Sequence, residues 1–306
     1  MRSVFVRILG VALAVGLLSF ALLQSLPGDA AYRIAASRYG YDMVNTAAAE
    51  AVRAELGLDR PLWQQLLAWL GDVAQGNLGV SLVSGEPVLA ELSHQWGHTV
   101  ALSLLAWGLA LLLGVGLGVV TALLQRPWLD RLVGRLAVTL RAVPAFVLAL
   151  LLATLLAEHL GWLPVAGHGD ASHYVLPALT LALALAPGLA QVTRHSVAQV
   201  LASAYVQFAR TKGLPARWVV LRHVLRNAAV PVTAFAATQL VLLVEGMVVV
   251  ETFFAWPGIG HALVHAILAR DVPMVQGTAL CMGLLFVLLN AGVDALCTWL
   301  DPRSQA

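Results

Sequence analysis

The chain has 306 residues, of which 60% are hydrophobic and 11% charged, and its formal net charge is +2. Water-soluble globular domains carry charge on about a quarter of their residues, so this composition excludes that class. The near-neutral balance also gives no reason to expect a nucleic-acid partner.

Arg2 and Arg7 precede an apolar run over residues 8–26, interrupted late by Gln24. A cleaved signal peptide and an uncleaved first span both fit such a run. Pro27-Gly28-Asp29 follows where a small-x-small cleavage site belongs, which favours a first transmembrane helix at 1–27. Residues 28–96 hold eight carboxylates and four arginines and form the only soluble-looking stretch. Helical periodicity runs over 47–56 and 62–73, and Pro61 is placed to open the second helix, where its missing N–H costs nothing. A small extracytoplasmic insertion is expected here.

Five more spans are predicted at 99–124, 143–160, 174–192, 229–250 and 277–300, each near the length that crosses a hydrocarbon core. Gly108, Gly114, Gly116 and Gly118 give the second span a small-residue face for close helix contact. Pro144 opens the third span, and Pro177 and Pro187 predict a kink in the fourth. Cys281 and Cys297 both fall in the last span, 16 residues apart, too far along one helix to bridge. Connections 2–3 and 4–5 hold ten basic residues from Arg126 to Arg226, whereas connections 3–4 and 5–6 hold only Arg270. The positive-inside rule then places both termini in the cytoplasm. The expected fold class is an all-α polytopic membrane protein with six transmembrane helices.

The most informative connection is 195–228. It contains four of the five arginines between Arg194 and Arg226, and Lys212, the only lysine in the chain. Ala209-Arg210-Thr211-Lys212-Gly213-Leu214 is followed by Arg222-His223-Val224-Leu225-Arg226-Asn227-Ala228 and then Pro231. Gly213 marks a reversal, because a residue without a Cβ turns most readily. This stretch resembles the coupling loop of ABC importer permeases, in the form carried by the dipeptide/oligopeptide/nickel group. Gln207 and Phe208 depart from that pattern, standing where many importers have Glu and Ala. Leu56-Gly57-Leu58-Asp59-Arg60-Pro61-Leu62, Asn77-Leu78-Gly79-Val80-Ser81, Phe253-Phe254-Ala255-Trp256-Pro257-Gly258-Ile259-Gly260 and 269–277 resemble the same group.

The resemblance implies a type I ABC permease fold, with a five-helix core at 97–306 joined to the insertion. It also implies a bacterial cytoplasmic (inner) membrane location. The implied partners are a second homologous permease, two ATP-binding cassette subunits, an extracytoplasmic solute-binding protein and the lipid bilayer. Ala209, Arg210, Lys212, Gly213 and Leu214 are the expected coupling residues, with Arg222 and Arg226 in support. No Gly-rich loop ending in Gly-Lys-Ser/Thr occurs, so the chain is expected not to be an enzyme. ATP and Mg belong on the partner ATPases, and no cofactor is expected on this chain. The implied function is import of di- or oligopeptides, or of nickel or metal chelates, by alternating access. Two other classes stay open: an ion-coupled secondary transporter, and a non-transporting assembly protein.

Pathway or gate candidates are Glu245, Glu251, Trp256, Pro257, Gly258 and Asn290. Glu245 lies within the fifth span, where an ionisable group faces a cavity or a partner. Glu251 is expected at the interface, Trp256 in the interfacial aromatic belt and Pro257-Gly258 in a turn. Asp294, four residues past Asn290, is expected to pair with a loop arginine. His94/His98 and His261/His265 each stand four apart, which puts two imidazoles on one helix face. Imidazole suits nickel, zinc and copper, but two histidines alone do not make a site.

Overall fold

The computed structural model describes residues 61–300 continuously and, before them, residues 10, 13–18, 21, 29, 31–32, 35–36, 45–55 and 59–60. Most of the first span, the Leu56-Gly57-Leu58 stretch and the tail 301–306 lie outside the described residues. The helices are α1 (Thr46–Glu55), α2 (Leu62–Ala74), α3 (Val88–Leu124), α4 (Pro127–Ala142) and α5 (Ala145–Leu152). They continue as α6 (Val175–Leu201), α7 (Ala204–Thr211), α8 (Arg226–Phe253), α9 (Ile259–Leu268) and α10 (Val272–Leu300). π-Helical segments Ala153–His159 and Val219–Leu225 extend α5 and precede α8. Among the described residues the only β-pairing is an isolated bridge between Val80 and Pro87.

Four helical stretches are long and apolar enough to cross a membrane: α3, Ala171–Leu201, Ala216–Val244 and α10. The pair Pro127–Ala142 and Ala145–His159 is long and apolar enough only when taken together, and it is bent by 107°, as in a broken span or a re-entrant loop. Pro144 explains the bend, since it cannot donate to the ladder and adopts an extended ψ of 147°. Residues 127–142, expected as a connection, instead form a helix. Leu132 and Leu136 share its apolar face, while Asp130, Arg131, Arg135 and Arg141 supply the charge. The second long helix begins at Val88, eleven residues before the predicted 99. Glu91, Ser93, His94, Gln95 and His98 dilute the hydropathy there without breaking the helix.

The chain divides into two compact units: residues 1–99 with 257–288, and residues 100–256 with 289–306. In the first, the start of α3 packs on α9 and α10 through Val88, Leu92, Ala262, Ala266 and Met274. Gly277 makes room for Val88, since a Cβ there would lie 2.6 Å from the valine Cγ1. Asp271, only 2% exposed, accepts a hydrogen bond from the Ser81 hydroxyl at 2.5 Å and caps α10 through the Met274 N–H at 3.2 Å. The loop leading into α3 is thereby tied to the start of the last span.

In the second unit, α6 is the central helix, buried over most of its length between α3, α4, α5 and α8. Gly114 and Gly118 let α3 approach it closely: a Cβ on Gly118 would lie 2.6 Å from both the Ala190 carbonyl and the Thr193 Cβ. The Trp107 indole N–H donates to the Ala236 carbonyl at 3.0 Å, joining α3 to α8. Large exposed side chains along α3 (Leu104, Leu105, Leu112 and Leu117) present the apolar surface that a bilayer requires.

Candidate functional site

The coupling stretch folds as helix, tight turn and helix. Ser203, with extended backbone, opens α7, and the helix ends in a two-bond reversal. The Gly213 N–H donates to the Arg210 carbonyl at 2.9 Å, and the Leu214 N–H reaches back to the Ala209 carbonyl at 3.4 Å. This is a Schellman cap, with its left-handed position at Gly213, whose φ is +76°. Pro215 then opens the turn Ala216–Trp218, which runs through the π segment into α8.

The inner face of α7 is anchored. Val206 and Ala209 are buried in a cluster with Ala122 of α3, Val197 and Leu201 of α6, Val219 and Val224 of the π segment, and Ala228 of α8. The outer face is free: Tyr205, Phe208, Arg210, Lys212, Gly213 and Leu214 are exposed, and the Lys212 ammonium sits 4.6 Å from the Phe208 ring centroid. Ala209 thus differs from the other predicted coupling residues, since it holds the turn in place and does not face outward. Arg222 and Arg226 are exposed further along, in a groove with Arg217, Trp218 and Leu221. Beside this region the Arg194 guanidinium forms a bidentate pair with Asp130, at 2.7 and 2.6 Å, fastening α4 to α6. No local sequence signal marks this pair, because 64 residues separate its partners.

The outer candidates differ from expectation. Trp256 is not at an interface: it is fully buried, with Tyr174 at 4.3 Å and His168 at 5.3 Å between ring centroids. Glu251, expected at the interface, is also fully buried. The cause is a second Schellman cap, at the end of α8. The Trp256 N–H donates to the Glu251 carbonyl at 2.8 Å and the Ala255 N–H to Thr252 at 3.3 Å, which folds the tryptophan back inward. The left-handed residue is Ala255, φ +48°, and not the predicted Pro257-Gly258 pair. Gly258 has an extended backbone at the start of α9, where the Ile259 N–H donates to the Thr99 hydroxyl at 2.9 Å. A third such cap ends α9 with Arg270 at φ +57°. Pro257 is half-buried, and Asn290 is half-buried on α10. Glu245 lies on α8, and its side chain is outside the described residues.

The histidine pairs are real neighbours, with centroids 5.4 Å apart for His94/His98 and 4.3 Å for His261/His265. No group of three or more metal-ligating side chains occurs among the described residues. Burial, then the nearby His265, holds the His261 imidazole below its ordinary pKa. In the loop before α6, Asp170 accepts from the Ser172 hydroxyl at 2.5 Å, the Ser172 N–H at 3.0 Å and His173 Nδ1 at 2.9 Å. Chiefly those Ser172 and His173 side-chain bonds lower its pKa to about 2.

Residues 114–305 match the family model described as "Binding-protein-dependent transport system inner membrane component". The chain belongs to that family. It is 39% identical over 305 residues to the glutathione transport system permease protein GsiC of Salmonella paratyphi A, covering 99% of this chain and 98% of that one. Against the protein of the same description from Escherichia coli K12 it is 38% identical over 288 residues, covering 94% and 92%. Two solved structures share the fold. One is the MetNI methionine ABC transporter in inward-facing conformations, with TM-score 0.59, 17% identity and coverage of 71% of this chain and 99% of that chain. The other is an amino acid ABC transporter crystallised with histidines, with TM-score 0.54, 11% identity and coverage of 70% and 94%. The chain is therefore an inner-membrane ABC permease subunit with an all-helical permease fold, as its sequence motifs imply.

Proposed function

We propose that this permease couples ATP hydrolysis on two partner ATPase subunits to import of short peptides, with the α7–Gly213 turn as its contact to one of them. The carrying observation is the two-faced turn: Val206 and Ala209 locked into a cluster from three long helices, Phe208, Arg210, Lys212 and Leu214 presented outward. ATP and Mg are held by the ATPases. A second permease completes the translocation pathway, and a solute-binding protein delivers the substrate. The relatives named as glutathione permeases favour a peptide of about that size as the solute. Trp256 and Glu251, buried beside the outer loop, are the residues of this chain proposed to close the pathway on that side.

The test is substrate-stimulated ATPase activity and uptake by the assembled complex in liposomes, with the binding protein and glutathione or dipeptides added. ATP-dependent uptake supports the reading. Uptake driven by an ion gradient without ATPase subunits would establish a secondary transporter instead, and absence of any transport with stable partner recruitment would establish an assembly protein.

A further inference from the structure

Arg217, Arg222 and Arg226, which follow the coupling turn, are among the arginines that form no ion pair among the described residues. In the π segment Val219–Leu225 each turn takes up an extra residue, so side chains four and five positions apart come onto one face. Arg217, Trp218, Leu221, Arg222 and Arg226 consequently line a single open groove, while Val219 and Val224 turn into the core. Trp218 is 51% and Leu221 65% exposed. The same helical stretch, Ala216–Val244, continues as an apolar span, so the groove sits where that span leaves the membrane.

We propose that this groove binds the headgroup of an anionic phospholipid of the inner leaflet. The guanidinium groups meet the phosphate, and Trp218 and Leu221 cover the apolar base of the lipid. Charge and apolarity together select this occupant: a free phosphate would use the arginines but leave Trp218 and Leu221 in water. A lipid anchored here would hold the base of the coupling turn at the membrane surface. The proposal goes beyond the coupling role and does not depend on Gly213.

The whole complex is purified in mild detergent as wild type, as Arg217→Gln/Arg222→Gln/Arg226→Gln and as the corresponding triple Lys variant. Retained phosphatidylglycerol and phosphatidylcholine are quantified by native mass spectrometry after equilibration with an equal mixture. Each lost arginine should weaken phosphatidylglycerol preference by about fivefold, so the Gln variant loses it by about 100-fold, while the Lys variant keeps most of it. Gly213→Pro should leave the preference unchanged, which separates failure here from failure of the coupling assignment. The proposal is overturned if the Gln variant retains wild-type preference. It is equally overturned if that variant sheds its ATPase subunits with lipid preference intact, because the groove would then be a protein-docking face.

Discussion

Gly213 offers the sharpest perturbation of the coupling turn. Its φ of +76° lies in the left-handed region, and no atom lies within 4 Å of a Cβ built on it, so a substitution there meets backbone strain and no side-chain clash. For Ala that strain is about 1–2 kcal/mol, which lowers the population of the turned state about 5- to 30-fold. Asn tolerates the left-handed region and should be milder. Pro is far worse: its ring fixes φ near −65°, about 140° from the +76° observed, and it deletes the N–H that donates to Arg210 at 2.9 Å. The buried anchor of α7 does not involve residue 213, so membrane insertion and the core stay intact. Transport per ATP hydrolysed, measured in liposomes with the full complex, should fall in the order Gly, Asn, Ala, Pro, with Gly213→Pro hydrolysing ATP without uptake. Wild-type uptake by the Pro variant would refute the coupling assignment.

Gly118→Val should destabilise the complex by about 1–3 kcal/mol, read as a lowered thermal midpoint, because the new Cβ meets the Ala190 carbonyl and Thr193 Cβ at 2.6 Å. Ala255→Gly should stabilise by about 1 kcal/mol, since the left-handed φ of +48° costs alanine and not glycine; an unchanged or lowered midpoint would show that the cap relaxes another way. The Asp130–Arg194 pair is part-exposed, so breaking it with Arg194→Gln should cost only about 1 kcal/mol, and the swap Asp130→Arg/Arg194→Asp should recover part of that. The Asp170 pKa, depressed to about 2, means its hold on Ser172 is fully present above the ordinary carboxylate value and lost as pH falls through 2. Ser172 amide protection should therefore hold down to the ordinary carboxylate value, be already reduced at pH 3 relative to pH 5 beyond the change in intrinsic rate, and be lost near pH 2.

Much of the architecture was legible because hydropathy and turn chemistry are local signals. The helices expected at 47–56 and 62–73 appear as Thr46–Glu55 and Leu62–Ala74, and the reversal expected at Gly213 lies there. What escaped the sequence was set by tertiary context. The burial of Trp256 depends on Tyr174 and His168, some 80 residues away, and on a cap whose left-handed residue is Ala255, which carries no glycine signal. The early start of α3 was hidden by Glu91, Ser93, His94, Gln95 and His98, which lower the hydropathy of a stretch whose Val88 and Leu92 pack on α9 and α10. The π segments have no sequence signature at all, and one of them gathers the arginine groove.

The two faces of α7 bear on how a push at the turn can reach the pathway. A loop attached only at its ends would absorb displacement in its own backbone. Here Val206 and Ala209 are packed against residues of α3, α6 and α8 together, and a close-packed core resists local compression. In the proposed mechanism, motion imposed on Phe208, Arg210 and Leu214 therefore moves those three helix ends as one body. The Asp130–Arg194 pair adds α4 to the same assembly at its junction with α6. The buried side of the turn is thereby as important as the exposed side. Enlarging Ala209, only 6% exposed, should then disturb coupling even though it touches no partner.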